Sequence, residues 1–448
     1  MHTSTNGHAG GDGVGSTQAP TFRLWLMMVL EFVIWGAWLP LIWGYMGAAV
    51  ADGGLGFTGP QIAWVGSAFA IASIVGIFFS SQFADRTFAA EKFMAVSHFI
   101  GGLAILGMYW AKDFPTFFAL MLIHSLLYVP TISVSNSIAF THMKNAEKEF
   151  GLVRMGGTIG WILAAWPLFF LLEGKTGVAA TMAKANIFLV AGIASLLLAA
   201  YSLTLPHTPP KRAAAGEGGL AWLKAAKDLA KPFLLVLFVV TFIDSVIHNG
   251  YFLLAGNFLG DAKAAGIPQK WIMPVMSIGQ VAEIATMAVL GTVLARLGWK
   301  TTMILGILGH AARFAVFAFL PQNQAMIILV QVLHGICYAF FFATVYIFVD
   351  EFFPKSMRST AQGMFNFLIF GMGPFVGNFV WPMTKQLAPL SEKGDILDYQ
   401  NVFLAPAGTA LAAAAILFIF FRVPDRYGHE LPADRKQGEG DEVLGKTV

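Results

Sequence analysis

Runs of about 20 predominantly apolar residues, each long enough to cross roughly 30 Å of hydrocarbon, recur along the whole chain and are separated by short polar breaks. They fall near 24–50, 60–83, 93–111, 115–141, 151–172, 184–204, 232–258, 271–294, 301–320, 325–349, 357–383 and 399–421. The pattern predicts an all-α polytopic membrane protein with twelve transmembrane helices.

Composition points the same way. Of 448 residues, 57% are hydrophobic and 12% charged, about half the charge of a soluble domain. No soluble core of this length needs so much apolar surface. The first 22 residues lack the basic start and apolar centre of a signal peptide and are rich in Gly, Ser and Thr, so they are expected to form a disordered tail; 423–448 is expected to be a second one. Of the 28 lysines and arginines, only Lys112, Lys175, Lys184, Lys263, Lys270, Lys385 and Lys393 fall in loops opposite the N-terminus, and Arg313 lies inside a span. The rest share the side of the N-terminus, which predicts that both ends are cytoplasmic. The net charge of +3 therefore reports membrane orientation, and nothing suggests nucleic acid. The single Cys337 excludes an intrachain disulfide.

The chain repeats itself. A shift of about 210 positions aligns MLIHSLLY (121–128) with QVLHGICY (331–338), so that His124 and Tyr128 correspond to His334 and Tyr338. The same shift aligns Gly56, Ile62, Val65 and Ser67 with Gly266, Ile272, Val275 and Ser277. Short basic turns, ADRTFAAEK (84–92) and ARLGWK (295–300), occupy equivalent places. Six helices in 23–204 and six in 232–422 are expected, joined by a cytoplasmic linker at 205–231.

Two parallel halves of six helices with a charged turn between the second and third resemble the major facilitator superfamily. WGAWLPLIWGYM (35–46), LYVPTISVSNSIAF (127–140), RMGGTIGW (154–161), LTLPHTP (203–209), SIGQVAE (277–283) and RSTAQGMF (358–365) resemble, in order, segments of the bacterial nucleoside:proton symporter family. The resemblance implies proton-coupled nucleoside uptake by alternating access in the inner membrane, by a single subunit without ATP, cofactor or enzymatic step. Departures from the family pattern leave room for a sugar or another small polar metabolite as cargo. A transporter-like receptor is the reading from another class.

Arg154 heads an apolar stretch, and a side chain that is always charged must there be paired, snorkelling or working. Arg154, Thr158 and Trp161 share one helical face, whereas Gly156 and Gly160 form a small-residue pair on another. The resemblance implies that the first three line the substrate cavity, with Trp161 standing where the family's best-known pattern has phenylalanine. Gln280 and Glu283 lie three apart on helix eight. The repeat places Ala70 and Ser73 at the equivalent positions, so the fold itself does not need an acid there. The matching family residues contact nucleoside. On helix seven Asn249 matches a family asparagine that touches substrate, but the glutamine three residues earlier is Val246 here, and His248 is a candidate replacement. His334 and Tyr338 stand where the family has two cavity-facing aromatics. Arg313 is expected to be paired internally, with no partner identifiable from sequence. Asp85/Arg86, Arg296, and Asp350/Glu351 with Arg358 are read as cytoplasmic gate pairs.

Three intramembrane acids compete for the proton. Glu283 is the first choice, deep in its helix beside a presumed ligand residue. Asp244 is placed nearer the mouth of helix seven, where water would keep its charge fixed. Glu31 is an extra acid relative to the family pattern, free to couple transport or to bond across to another helix. GDEVLGKT (440–447) satisfies the phosphate-cradling pattern G-x-x-x-x-G-K-[ST] but stands at the chain end without a preceding apolar strand, so no nucleotide site is expected. No metal-ligand spacing or nucleophile elbow is evident.

Overall fold

The computed structural model describes residues 19–143, 146–210, 227, 231–353, 358–391 and 396–423. Most of both expected tails, most of the linker and GDEVLGKT lie outside the described residues, as do the side chains of Asp85, Arg86 and Arg358.

The described residues are almost wholly helical. In chain order the helices are α1 (Ala19–Gly47), α2 (Gly59–Thr87), α3 (Ala90–Gly107), α4 (Phe114–His142), α5 (Ala146–Leu163, continued by Ala165–Leu172), α6 (Asn186–Ser202) and α7 (Pro232–Gly260). The helix Ile272–Phe319 is broken at Gly298, whose φ of 71° and ψ of 173° are left to glycine by sterics. It is divided here into α8 (272–297) and α9 (299–319). There follow α10 (Gln324–Phe352), α11 (Ala361–Leu387) and α12 (Gln400–Phe420). Among the described residues ten segments are long and apolar enough to cross a membrane, one of them, Gln269–Phe319, holding both α8 and α9. Only α3 falls outside those segments; it has 18 residues and carries Glu91 and Lys92 near its start.

Helix starts follow local chemistry. Before α2, the Thr58 N–H donates to Gln61 Oε1 at 2.9 Å in a capping box, and Pro60 occupies the first turn, where no N–H is needed. Asp113 caps α4 by accepting the Thr116 N–H at 3.0 Å. Large apolar side chains such as Phe99, Leu103, Leu197, Leu411 and Phe418 remain exposed on the bundle's outside. Such a surface suits hydrocarbon, where helices satisfy their own backbone.

Helices α1–α6 pack among themselves, with α1 against α5 and α6, α3 against α4 and α6, and α2 against α4. Helices α7–α12 do likewise, α9 and α8 against α10 and α12, and α7 against α11 and α12. Gly156 and Gly160 allow α5 to approach α1: a Cβ at 156 would come 2.7 Å from the Trp25 carbonyl oxygen, and one at 160 would overlap that of Val29. The two sets meet along α1/α7, α2/α11 and α5/α8. Among the described residues, several of these meetings lie at the end where α1 finishes and α2 begins. There Gly256 lies against the Pro40 carbonyl, and Gly44 beside Asn257. Trp64 packs edge-on against Phe375 and Phe379, and Lys270 bridges to Glu173 at 2.8 Å. Two helices of the second set contain a wider turn, Tyr338–Ala343 in α10 and Phe367–Met372 in α11, where the backbone bonds i to i+5.

Candidate functional site

The junction of the two sets brings opposite charges towards each other. Arg154, half-buried on α5, lays its guanidinium over the Phe32 ring at 4.5 Å from the centroid. Gly157 supplies the room, because a Cβ there would approach Arg154 Nη1 to 2.5 Å and Phe32 to 2.8 Å. Across the junction, Glu283 on α8 lies within electrostatic reach of Arg154 and of Tyr338. Among the described residues neither Arg154 nor Glu283 makes a hydrogen bond or ion pair. Gln280, one turn earlier, is 5% exposed and its Oε1 is buried without a partner. Thr158, half-buried, follows Arg154 on the same face.

Aromatic rings wall this space. Trp161 meets Trp35 edge-on at 5.3 Å and, across the junction, Phe252 at 5.8 Å. Phe252 is edge-on to His334 at 5.4 Å, and His334 stacks on His248 at 5.1 Å. Tyr338 lies 6.4 Å from His248. Asn249 is differently engaged: its Nδ2 donates to Asn378 Oδ1 at 2.9 Å, and Asn378 Nδ2 reaches Ser67 Oγ at 3.5 Å. The amide nitrogen therefore ties α7 to α11, leaving its oxygen as the group without a described bond. Phe32, Trp35 and Asn378 were not singled out from sequence, whereas Phe252 shares the helix-seven face of Asn249. Aromatics abound in the apolar spans, so nothing local distinguishes the first two.

The three acids have different surroundings. Glu31 is fully buried with a partner on each oxygen: Oε1 lies 2.7 Å from Thr131 Oγ1, whose hydroxyl is shared with the Tyr128 carbonyl, Oε2 lies 2.9 Å from His98 Nε2, and the backbone carbonyl accepts from Tyr128 Oη at 2.7 Å. His98 is linked in turn to Ser195, whose Oγ donates to the His98 carbonyl at 3.0 Å. This network joins α1, α3, α4 and α6.

Asp244 does not sit in a hydrated mouth, as its sequence position suggests, but is fully buried. Twelve residues separate it from the start of α7, about 18 Å of helix, and α9 covers it there. Its oxygens make no hydrogen bond; the nearest opposite partner is His310 Nε2 at 3.7 Å. Arg313 on α9 supplies what sequence could not: Nη1 bonds His334 Nδ1 and Nη2 bonds His310 Nδ1, each at 3.0 Å, and the guanidinium lies 3.9 Å from the Tyr251 ring centroid. His310 is three residues from Arg313 and could have been suggested by helical spacing. The other partners sit on α7 and α10.

No group of three or more metal-ligating side chains occurs among the described residues. A junction between two helical sets that is flanked by aromatics and holds an unpartnered acid and base has the groups to bind a flat polar solute and exchange a proton.

Known proteins are similar to this chain in sequence and architecture. The sequence profile of the family described as "Nucleoside H+ symporter" matches residues 19–426. The transporter YegT of Escherichia coli (strain K12) is 31% identical over 90% of this chain and 94% of its own length. The xanthosine permease of the same organism is 28% identical over 91% of this chain and 96% of its own. A crystal structure of a mutant of the nucleoside transporter NupG superposes with a TM-score of 0.79 at 25% identity, covering 90% of this chain and all of that one.

Proposed function

The chain belongs to the nucleoside H+ symporter family, and from that premise we propose that it takes up nucleosides with protons across the bacterial inner membrane by alternating access. It is a multi-pass membrane carrier of the major facilitator fold, not an enzyme. The observation that carries the site is the facing pair at the junction: Arg154 from the first set of helices and Glu283 from the second, neither bonded to protein, beside the buried and unpartnered Gln280 Oε1. Buried polar groups without partners are rare and costly in a folded protein. Here they support a site completed by a polar ligand.

In this reading the base stacks among Trp161, Phe252, His334 and Tyr338. The ribose and base edges bond to Arg154, Thr158, Gln280 and the free oxygen of Asn249. Glu283 carries the proton, because it stands beside the ligand and no protein bond holds it in one charge state. Proton and cargo then influence each other's binding reciprocally. Glu31, by contrast, is bonded into its own helices, and Asp244 is screened from the junction by its neighbours. Loop charge assigns both termini to the cytoplasm, so that the end of the bundle where Lys270 meets Glu173 is the outer one. One charge moving down 100 mV releases about 2.3 kcal/mol before any pH gradient is counted. The carrier needs no ATP in this scheme, and one subunit contains the whole site.

Uptake of labelled nucleosides into energised membrane vesicles, with and without a protonophore, tests the proposal. Accumulation that the protonophore collapses is the expected result. Binding without accumulation would mean a receptor, and accumulation of a sugar in place of nucleosides would replace the cargo.

A further inference from the structure

We propose that Arg313, buried behind the site, fixes His334 as a hydrogen-bond donor to the cargo, so that position 334 selects for a carbonyl oxygen or a bare ring nitrogen. The inference rests on the nucleoside reading above and adds a chemical criterion to it.

A guanidinium has five N–H donors and no acceptor. Its 3.0 Å bonds to the Nδ1 atoms of His334 and His310 therefore require both nitrogens to accept. A neutral imidazole carries its one hydrogen on the other nitrogen, so both rings hold it on Nε2. For His310 that nitrogen lies 3.7 Å from Asp244 Oδ2, outside hydrogen-bond range, and the buried carboxylate lies within electrostatic reach of Arg313. For His334, Nε2 has no protein partner among the described residues.

The ring cannot turn to present another edge. His248 stacks on it at 5.1 Å and 28°, Tyr251 packs at 5.1 Å and 37°, and Phe252 stands edge-on. On the α8 side Gly279 admits the ring closely, since a Cβ there would come 2.8 Å from His334 Cβ. Arg313 is held as firmly, fully buried and 3.9 Å from the Tyr251 ring centroid, while Tyr251 Oη donates to Gln331 Oε1 at 2.7 Å. The chain Asp244–His310–Arg313–His334 thus ends in a single oriented N–H beside Phe252, which leads to Trp161 and the site. Arg313 acts through His334 as a positioning residue.

Two measurements on the purified full-length protein test this. In the first, histidine is labelled with nitrogen-15 and long-range proton–nitrogen spectra report which nitrogen of each ring carries hydrogen, the His334 signals being assigned by their loss in His334→Phe. The expected spectrum shows His334 only in the Nε2–H form, giving way to a mixture in Arg313→Met. Hydrogen on His334 Nδ1 in the unmutated protein would overturn the proposal, and this outcome does not depend on whether Arg313→Met folds.

The second compares uridine binding by calorimetry in His334→Gln, whose amide N–H can take the place of Nε2–H, and in His334→Phe, which keeps a ring but no donor. Glutamine is expected to bind about tenfold tighter than phenylalanine, or 1.4 kcal/mol. Equal or tighter binding by the phenylalanine variant would show that stacking alone matters and would sink the assignment. Failure of the unmutated protein to bind any nucleoside would overturn the function proposed above, while the tautomer spectrum would still decide the role of Arg313.

Discussion

A carboxylate with both oxygens engaged by the protein is poorly suited to carrying a proton, since each change of charge disturbs bonds that hold helices together. Glu31 bonds Thr131 and His98, whereas Glu283 bonds no protein group and lies near Arg154. Glu283→Gln is expected to abolish proton-driven nucleoside accumulation while binding survives. Glu31→Gln should keep coupled uptake and lose about 1–3 kcal/mol of stability, the range for weakening a buried charged hydrogen bond. Asp244→Asn should slow transport without uncoupling it. Vesicle uptake with and without a pH gradient separates these outcomes; a Glu31→Gln protein that binds nucleoside but ignores the gradient would move the coupling site to α1. At this scale sequence spacing was informative within one helix: Arg154, Thr158 and Trp161 were readable as a face. Asp244 was misplaced and Arg313 left without partners, because their environment is built by side chains from α7, α9 and α10, separated by many tens of residues.

Among the helices, α3 shows what a string resemblance leaves unsaid. LTLPHTP was recognisable at 203–209, but not that it clamps the start of another helix. The Ala90 N–H donates to the Thr208 carbonyl at 2.9 Å. Glu91 Oε2 accepts the Thr208 N–H at 2.9 Å, and its Oε1 lies 2.8 Å from His207 Nδ1. Glu91 precedes the apolar span of α3. Burial there pushes its carboxyl upward, but the Thr208 N–H and His207 outweigh that and hold it below its ordinary value near 4.5. A lowered carboxyl contributes stability that is present above the unfolded-state value and lost as the pH falls through the folded-state one. The melting temperature should therefore drop below about pH 4.5, and Glu91→Gln should lower it at pH 7 and flatten that acid limb. A Glu91→Gln melting curve parallel to the unmutated one over the whole range would show that the clamp contributes nothing. Helix positions were legible from hydropathy alone, whereas α3's clamp depends on a loop after α6.

For the molecule as a whole, the shift of about 210 residues announced two sets of helices, but sequence carries no mark of which end is closed. At the end where α1 finishes, the contacts between the sets include Gly256 on Pro40 and Lys270 on Glu173. The ion pair is partly exposed, with side chains 28% and 53% accessible, so it is worth at most about 1 kcal/mol, or fivefold in a two-state equilibrium. Glu173→Lys should raise the labelling rate of a cysteine placed at Pro40, which is buried against Gly256, by an impermeant thiol reagent added outside, by up to about that factor. Adding Lys270→Glu should restore it. An unchanged rate in both proteins would mean that apolar packing alone keeps this end shut. Reporters fused after residues 215 and 430 should be cytoplasmic and one near 390 external; an external reporter at 215 would invert the orientation.

The wide turns in α10 and α11 have a genetic consequence. A turn bonded i to i+5 holds one residue more than an α-helical turn between flanks that face the same way, and at Tyr338–Ala343 the Thr344 hydroxyl reaches the Ala339 carbonyl at 3.2 Å. Removing one residue from Phe340–Phe342 lets the helix close into regular winding with both flanks still in register. Removing one from the middle of α7 turns everything beyond it by about 100°. Single-codon deletions should accordingly be survivable in these two short stretches and ruinous in the uninterrupted helices, so a deletion scan read by membrane expression should find its tolerated intramembrane sites there. If α10 rejects such deletions as strictly as α7 does, the extra residue is not slack.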